Sequence, residues 1–180
     1  PNLPSETMTS MGVTAENLSK LHKIGREEQE QFAIESHARA SAARDSGSLA
    51  EEIVPIETSS GTVDQDGCIR PGTDTEALAR LRPAFDAKGT VTAGTSSPLT
   101  DGAAFVFICS EAFAAEHNLE PMARIKSAAV SGCAPEIMGI GPVEASKKAL
   151  DRAGLSLEDI DIVELNEAFA AQSLAVIGEL

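Results

Sequence analysis

The stretch Asp159-Ile160-Asp161-Ile162-Val163-Glu164-Leu165-Asn166-Glu167-Ala168-Phe169-Ala170-Ala171-Gln172 decides how the chain is read. Residues 161–165 alternate polar and apolar side chains around β-branched Ile162 and Val163, the pattern of a strand. Asn166 then stands where an N-cap belongs, ahead of a run to residue 180 that is rich in Ala and Leu. Glu167 in a first helical turn suits the positive end of the helix dipole. A polar side chain is thereby expected where a strand gives way to a helix, the place at which open α/β sheets bind ligands. Spacing alone leaves a simple helix cap as the plainer reading.

Upstream, residues 143–153 predict a helix closed by Gly154, and residues 122–130 a strand. Between them lies a loop, residues 131–142, with Gly132, Gly139 and Gly141. Residues 103–109 form a continuous apolar run, as in a strand buried on both faces, and Ser110 caps a short helix after it. Strand, glycine-bearing loop, helix and strand make a βαβ-type order, for which a right-handed crossover is expected. Residues 89–102 are a loop of small residues, where backbone can approach a ligand closely.

The first half has a different character. Thr14 predicts a cap for a helix over 15–24 with Leu18, Leu21 and Ile24 in one stripe, closed by Gly25. Residues 26–46 predict a second helix with Phe32, Ala33, Ala40 and Ala43 on its buried face. Residues 51–57 suit a short edge strand, since Pro55 cannot donate to a ladder. Residues 58–67 follow as a polar turn region. Thr73 and Glu76 fit a capping box for a helix that Pro83 stops. Such a series reads as an excursion from a larger fold, without a sheet of its own.

Composition narrows the function classes. The 180 residues carry 28 acidic against 14 basic side chains, a formal charge of −14, which speaks against nucleic acid and against anionic membranes. Apolar residues make up 42% and aromatic ones 3%, so the core is expected to be aliphatic. Cys68, Cys109 and Cys133 form neither a disulfide framework nor a zinc motif, and no metal is expected. A reducing compartment follows, the cytoplasm of a bacterium or an organelle matrix in a eukaryote. No run is long enough to insert into a membrane.

Asn166-Glu167-Ala168-Phe169 resembles the NEAF signature of thiolases, enzymes that cleave or condense 3-ketoacyl-CoA thioesters. Other segments are similar to the same family: Met11-Gly12-Val13-Thr14-Ala15-Glu16-Asn17, Ile69-Arg70-Pro71-Gly72, the loop from Gly89 to Gly102, and Cys133-Ala134-Pro135-Glu136-Ile137-Met138-Gly139. The resemblance implies an α/β thiolase-like fold of duplicated αβαβα layers with an inserted, mainly helical loop domain. It implies three parts: a CoA-binding loop domain over 1–92, the end of the N-terminal core domain over 93–120, and the start of the C-terminal core domain over 121–180. It assigns Asn166 a catalytic role. It places Met11, Arg70, Phe85, Ala93, Ser97, Met138 and Phe169 on coenzyme A or its acyl group, with Arg70 at the adenosine end. Glu167 tunes the asparagine on this reading. His22, His37 and His117 read as ordinary surface histidines.

Coenzyme A is implied as substrate, with no permanently bound cofactor, CoA thioesters as partners, and a homodimer or dimer of dimers. The activity implied is cleavage of 3-ketoacyl-CoA by CoA to acetyl-CoA and a shortened acyl-CoA, in β-oxidation. Ser36-His37-Ala38-Arg39-Ala40 and Gly94-Thr95-Ser96-Ser97 resemble the fatty-acid-degrading branch. In the family pattern the nucleophilic cysteine lies before residue 1, and the catalytic histidine and second cysteine lie beyond residue 180. The chain therefore reads as an internal fragment that is inactive by itself. A biosynthetic acetoacetyl-CoA thiolase and a non-catalytic CoA- or protein-binding module stay open as alternatives.

Overall fold

The computed structural model describes residues 8–180. Helix α1, Met11–His22, starts after Ser10 and ends at Lys23, whose φ of 57° lets the Ile24 N–H turn back to the Ser19 carbonyl at 2.9 Å. The expected cap, Thr14, instead sits inside the helix and donates its hydroxyl to the Met11 carbonyl. Of the expected stripe, Leu18 and Ile24 are buried while Leu21 faces out. Gly25 begins the next helix rather than closing this one. Helix α2, Arg26–Asp45, carries Glu27 and Glu28 in its first turn, where the dipole favours them.

Antiparallel strands β1, Ile56–Thr58, and β2, Gly61–Val63, form an exposed hairpin in the register Ile56 to Val63. The strand expected at 51–57 is shortened because residues 48–51 coil into a 3-10 turn. Helix α3, Thr75–Ala79, is capped by Asp74, which accepts the Ala77 N–H at 2.8 Å; Thr73 is not the cap, since its hydroxyl donates to the Arg70 carbonyl. Helix α4, Glu111–Glu116, has the predicted Ser110 cap. Helix α5, Gly141–Ala153, ends as expected at Gly154, with φ 67°. Helix α6, Ala170–Glu179, begins later than expected: Phe169, not Asn166, is its N-cap residue.

The core lies between α1, α2, α6 and the segment 86–97. Ala15, Val91 and Ala171 make one buried cluster with Phe169 packed on it. Leu18, Ile24 and Ala175 make another, covered by Ile137, Ile140 and Leu174. In contrast, the three segments expected as core strands, 103–109, 122–130 and 161–165, join no ladder among the described residues. Phe105, at 89% exposure, is typical of their apolar side chains. A strand's amides need a neighbour about 4.8 Å away, and its apolar faces need covering layers. No ladder partner lies beside these segments among the described residues, so no parallel pair defines the expected crossover. The cover they have is partial: α5 reaches 122–130 through Ser127 to the Ala149 carbonyl and Arg152 to the Ala128 carbonyl, and the Phe113 ring of α4 lies 6.1 Å from that of Phe107.

Candidate functional site

Residues 92–97 turn sharply at the edge of that core. The Thr95 hydroxyl accepts the Thr92 N–H at 3.0 Å, and the Ser96 hydroxyl donates to the Thr92 carbonyl at 2.6 Å, so the turn is held by its own side chains. Ser96 pairs with Phe169 in an isolated antiparallel bridge, and the Ser97 N–H donates to the Ala168 carbonyl at 2.9 Å. This bridge joins the small-residue loop to the segment carrying Asn166, two regions far apart in sequence.

Between them and α2 opens a cleft of about 1000 Å³. Arg70, Ala93, Ser97 and Asn166 all line it, so half of the expected site residues converge. Asn166 is exposed to the cleft, and its side-chain amide has no hydrogen-bond partner among the described residues. Phe32, Ala33, Leu78 and Ala170 supply apolar wall. An apolar cavity with a few convergent polar groups is the usual make-up of a small-molecule site.

Two consecutive residues of α2 hold opposite walls. The Ser36 hydroxyl donates to Glu167 at 2.5 Å, fixing the residue next to Asn166. The His37 Nδ1 accepts the Arg70 N–H at 3.3 Å, so this histidine is part of the cleft wall and not an ordinary surface residue. Glu167 precedes the first turn of α6, and its carboxylate is spent on α2 rather than on the helix dipole.

The other expected site residues lie outside that lining. Phe85 and Phe169 meet edge to face, with ring centroids 5.8 Å apart. Gly12 lies directly under Phe85, where a Cβ would come within 2.2 Å of the ring. Met11 stands exposed beside it in the chain, and Met138 is exposed in a 3-10 turn over 135–140. No group of three or more His, Cys, Asp or Glu side chains gathers for a metal among the described residues. No helix among them is long and apolar enough to cross a membrane.

Residues 4–112 match the family model described as thiolase, N-terminal domain, and residues 119–180 match thiolase, C-terminal domain. The chain belongs to the thiolase family. Among curated thiolases, the 3-ketoacyl-CoA thiolase of Salmonella typhimurium is 58% identical over 94% of this chain and 46% of its own length. That of Vibrio vulnificus is 56% identical over the same shares. The crystal structure of human mitochondrial 3-ketoacyl-CoA thiolase is 49% identical, with a TM-score of 0.94 over 98% of this chain and 45% of its own. A second crystal structure of that human enzyme is a complex with CoA. The Bacillus anthracis acetyl-CoA acetyltransferase structure is 47% identical with a TM-score of 0.90, covering 94% of this chain and 44% of its own. The chain thus has the thiolase fold and spans about half the length of the thiolases it matches.

Sequence reasoning passed over Ser36 and His37 as site residues, although both stand in a segment read as family-like. The missing signal was spatial: Ser36 meets Glu167 across 131 positions.

Proposed function

We propose that the cleft receives a CoA thioester and that the chain is part of a 3-ketoacyl-CoA thiolase, an acyltransferase of fatty acid β-oxidation. The convergence of Arg70, Ala93, Ser97 and the unpartnered Asn166 amide on one cleft carries this reading. A slender pantetheine arm fits between small walls such as Ala93 and Gly94, with Ser97 offering a hydroxyl. The Arg70 guanidinium suits phosphate or adenine at the outer end. Met11, Phe85, Met138 and Phe169 complete the site on this reading, the Phe85–Phe169 pair backing the bridge that holds Ser97.

In the proposed reaction a cysteine thiolate attacks the 3-keto carbon, and the bond to the α-carbon breaks. Its electron pair leaves on acetyl-CoA, which takes up a proton. The incoming CoA thiol gives up its proton, attacks the acyl-enzyme, and releases the cysteine with a shortened acyl-CoA. Asn166 holds a water that helps a histidine stabilise the negative thioester oxygen. Neither that cysteine nor that histidine is assigned to a residue here, so the 180-residue chain is proposed to bind CoA without turning substrate over. The parts 1–92, 93–120 and 121–180 are proposed as loop domain and the two core-domain pieces. The break between the two family-model matches, residues 113–118, falls just ahead of the second boundary and supports a division near it. A cytoplasmic or organelle-matrix homodimer, or dimer of dimers, completes the reading.

In the natural protein, Asn166→Ala is expected to lower kcat about 100- to 1000-fold while leaving CoA affinity nearly unchanged. Steady-state thiolysis and CoA titration measure the two separately. Normal turnover would remove Asn166 from the chemistry. Cleavage of acetoacetyl-CoA alone among a chain-length series would favour the biosynthetic alternative.

A further inference from the structure

We propose that Glu16 positions the small-residue wall of the cleft, acting through the backbone of Thr90 and Val91. This deepens the CoA reading above and rests on it. Glu16 lies on α1, is 1% exposed, and forms no ion pair among the described residues. Its oxygens are filled instead by main-chain donors of another segment. The Thr90 N–H lies 3.0 Å from both oxygens, and the Val91 N–H lies 2.9 Å from Oε1.

Burying a carboxylate is unfavourable unless its acceptors are satisfied. A helix that needed only packing at this point would carry an apolar residue. Two consecutive amides gripped by one carboxylate fix direction as well as distance, and the grip falls two residues before Ala93. The Val91 carbonyl then accepts the Ala84 N–H at 2.9 Å, and Thr92 caps the 93–95 turn, so the placement passes directly into the wall. From Ser97 it continues through the Ala168 carbonyl toward Asn166.

Two further features serve the same grip. Gly89 approaches so closely that a Cβ there would lie 2.0 Å from Glu16 Oε1. One turn along α1, Lys20 holds Asp86 at 2.8 Å, tethering the start of the same segment at the surface. Thr90 is held from a third side, its hydroxyl accepting from Gln29 Nε2 at 2.9 Å and lying 2.9 Å from the Ser19 hydroxyl.

The test compares Glu16→Ala, Glu16→Gln, Gly89→Ala and the control Leu18→Ala in the natural protein. Each is assayed well below its own melting temperature for KM of CoA, kcat, and amide exchange at Thr90 and Val91. Glu16→Ala leaves the buried Val91 donor and the half-buried Thr90 donor without their acceptor, so KM for CoA is expected to rise about tenfold or more, with faster exchange at both amides. Gly89→Ala should do the same with the carboxylate still present. Glu16→Gln keeps an acceptor oxygen and should restore most of the affinity. Leu18→Ala should lower the melting temperature without moving KM. A folded Glu16→Ala or Gly89→Ala protein with wild-type KM and wild-type exchange would overturn the proposal. If Glu16→Ala does not fold, Gly89→Ala and Glu16→Gln decide. If the wild type does not bind CoA, the functional reading fails, and amide exchange alone decides whether Glu16 holds the loop.

Discussion

On α1 and α2, several polar side chains are buried and engaged: Gln29 reaches Thr90, Glu30 meets Arg26, and Glu16 holds two amides. Along residues 99–132 and 155–168 the arrangement is reversed, with Phe105, Val106, Ile125 and Ile162 facing outward. The outward-facing region is rich in apolar side chains, so hydrophobicity alone does not decide what is buried; the regions differ in what an isolated element can satisfy by itself. A helix closes its own backbone bonds and needs only one covered face. A core strand needs ladder partners and two covering layers, and such contacts come from remote sequence. Stability of this chain is therefore expected to be concentrated in the helical half.

The largest expected effect separates the halves. Leu18 is fully buried, so Leu18→Ala should cost about 2–5 kcal/mol in denaturant unfolding of the 180-residue chain. Phe105→Ala, in the unpaired segment, should stay within about 0.5 kcal/mol, as exposed substitutions do. Comparable losses at the two positions would mean that residues 103–109 are covered in solution, and the contrast would fail.

A smaller effect sharpens the same comparison at one contact. Gly139 is packed against α6 and α1: a Cβ there would lie 2.7 Å from Gln172 Cγ and 3.0 Å from Leu18 Cδ1. Gly139→Ala should cost about 1–3 kcal/mol through overpacking. Gly132→Ala, in the exposed region and with nothing near its Cβ, should cost far less. Equal costs would show that the apolar seam beside α6 yields easily. Both values come from the same urea titration.

What could be read from the sequence follows the range of the interactions involved. Helices α2, α4 and α5 and the Gly154 stop were legible because caps, dipoles and periodicity act over a few residues. The start of α6 was misplaced because Ala168, Phe169 and Glu167 are held by Ser97, Ser96 and Ser36, and these remote ties delay the first turn to Ala170. The cap of α3 was missed by one residue because the Thr73 hydroxyl is already committed to the Arg70 carbonyl. The role of Glu16 left no local signal in the sequence, because its partners are 74 and 75 positions away. At the cleft, the resemblance gave Asn166, Ser97, Ala93 and Arg70, while only the packing of α2 added Ser36 and His37.

The smallest expected effect concerns the surface tether between the ordered helix and the loop. A hydrogen bond from Lys20, a second from the Lys88 N–H, and attraction to Lys20 hold the Asp86 carboxyl below its usual value of 3.8. Hydrogen bonding and then charge attraction to Asp86 hold the Lys20 ammonium above its usual 10.5. A lowered carboxyl pKa contributes stability that is present above the unfolded value and lost as pH falls through the folded one. A raised ammonium pKa contributes stability that is present below 10.5 and lost as pH rises through the folded value. The tether should therefore act across the middle of the pH range and fade at both ends. Both groups are solvated, so the effect should be slight and should shrink further with salt. Lys20→Met removes the alkaline arm and the Lys20 share of the acid arm while the Lys88 N–H stays on Asp86, and the difference in melting temperature between it and the wild type should be flat across the middle of the pH range and close toward either extreme. Asp159 serves as the internal control: its carboxyl is held low by the Ser156 N–H and hydroxyl, so its acid arm should persist in Lys20→Met. A difference that grew at acid pH would mean that the loop is held at Asp86 by something other than this pair, leaving Glu16 and Ser19 as the polar links between α1 and the cleft wall among the described residues.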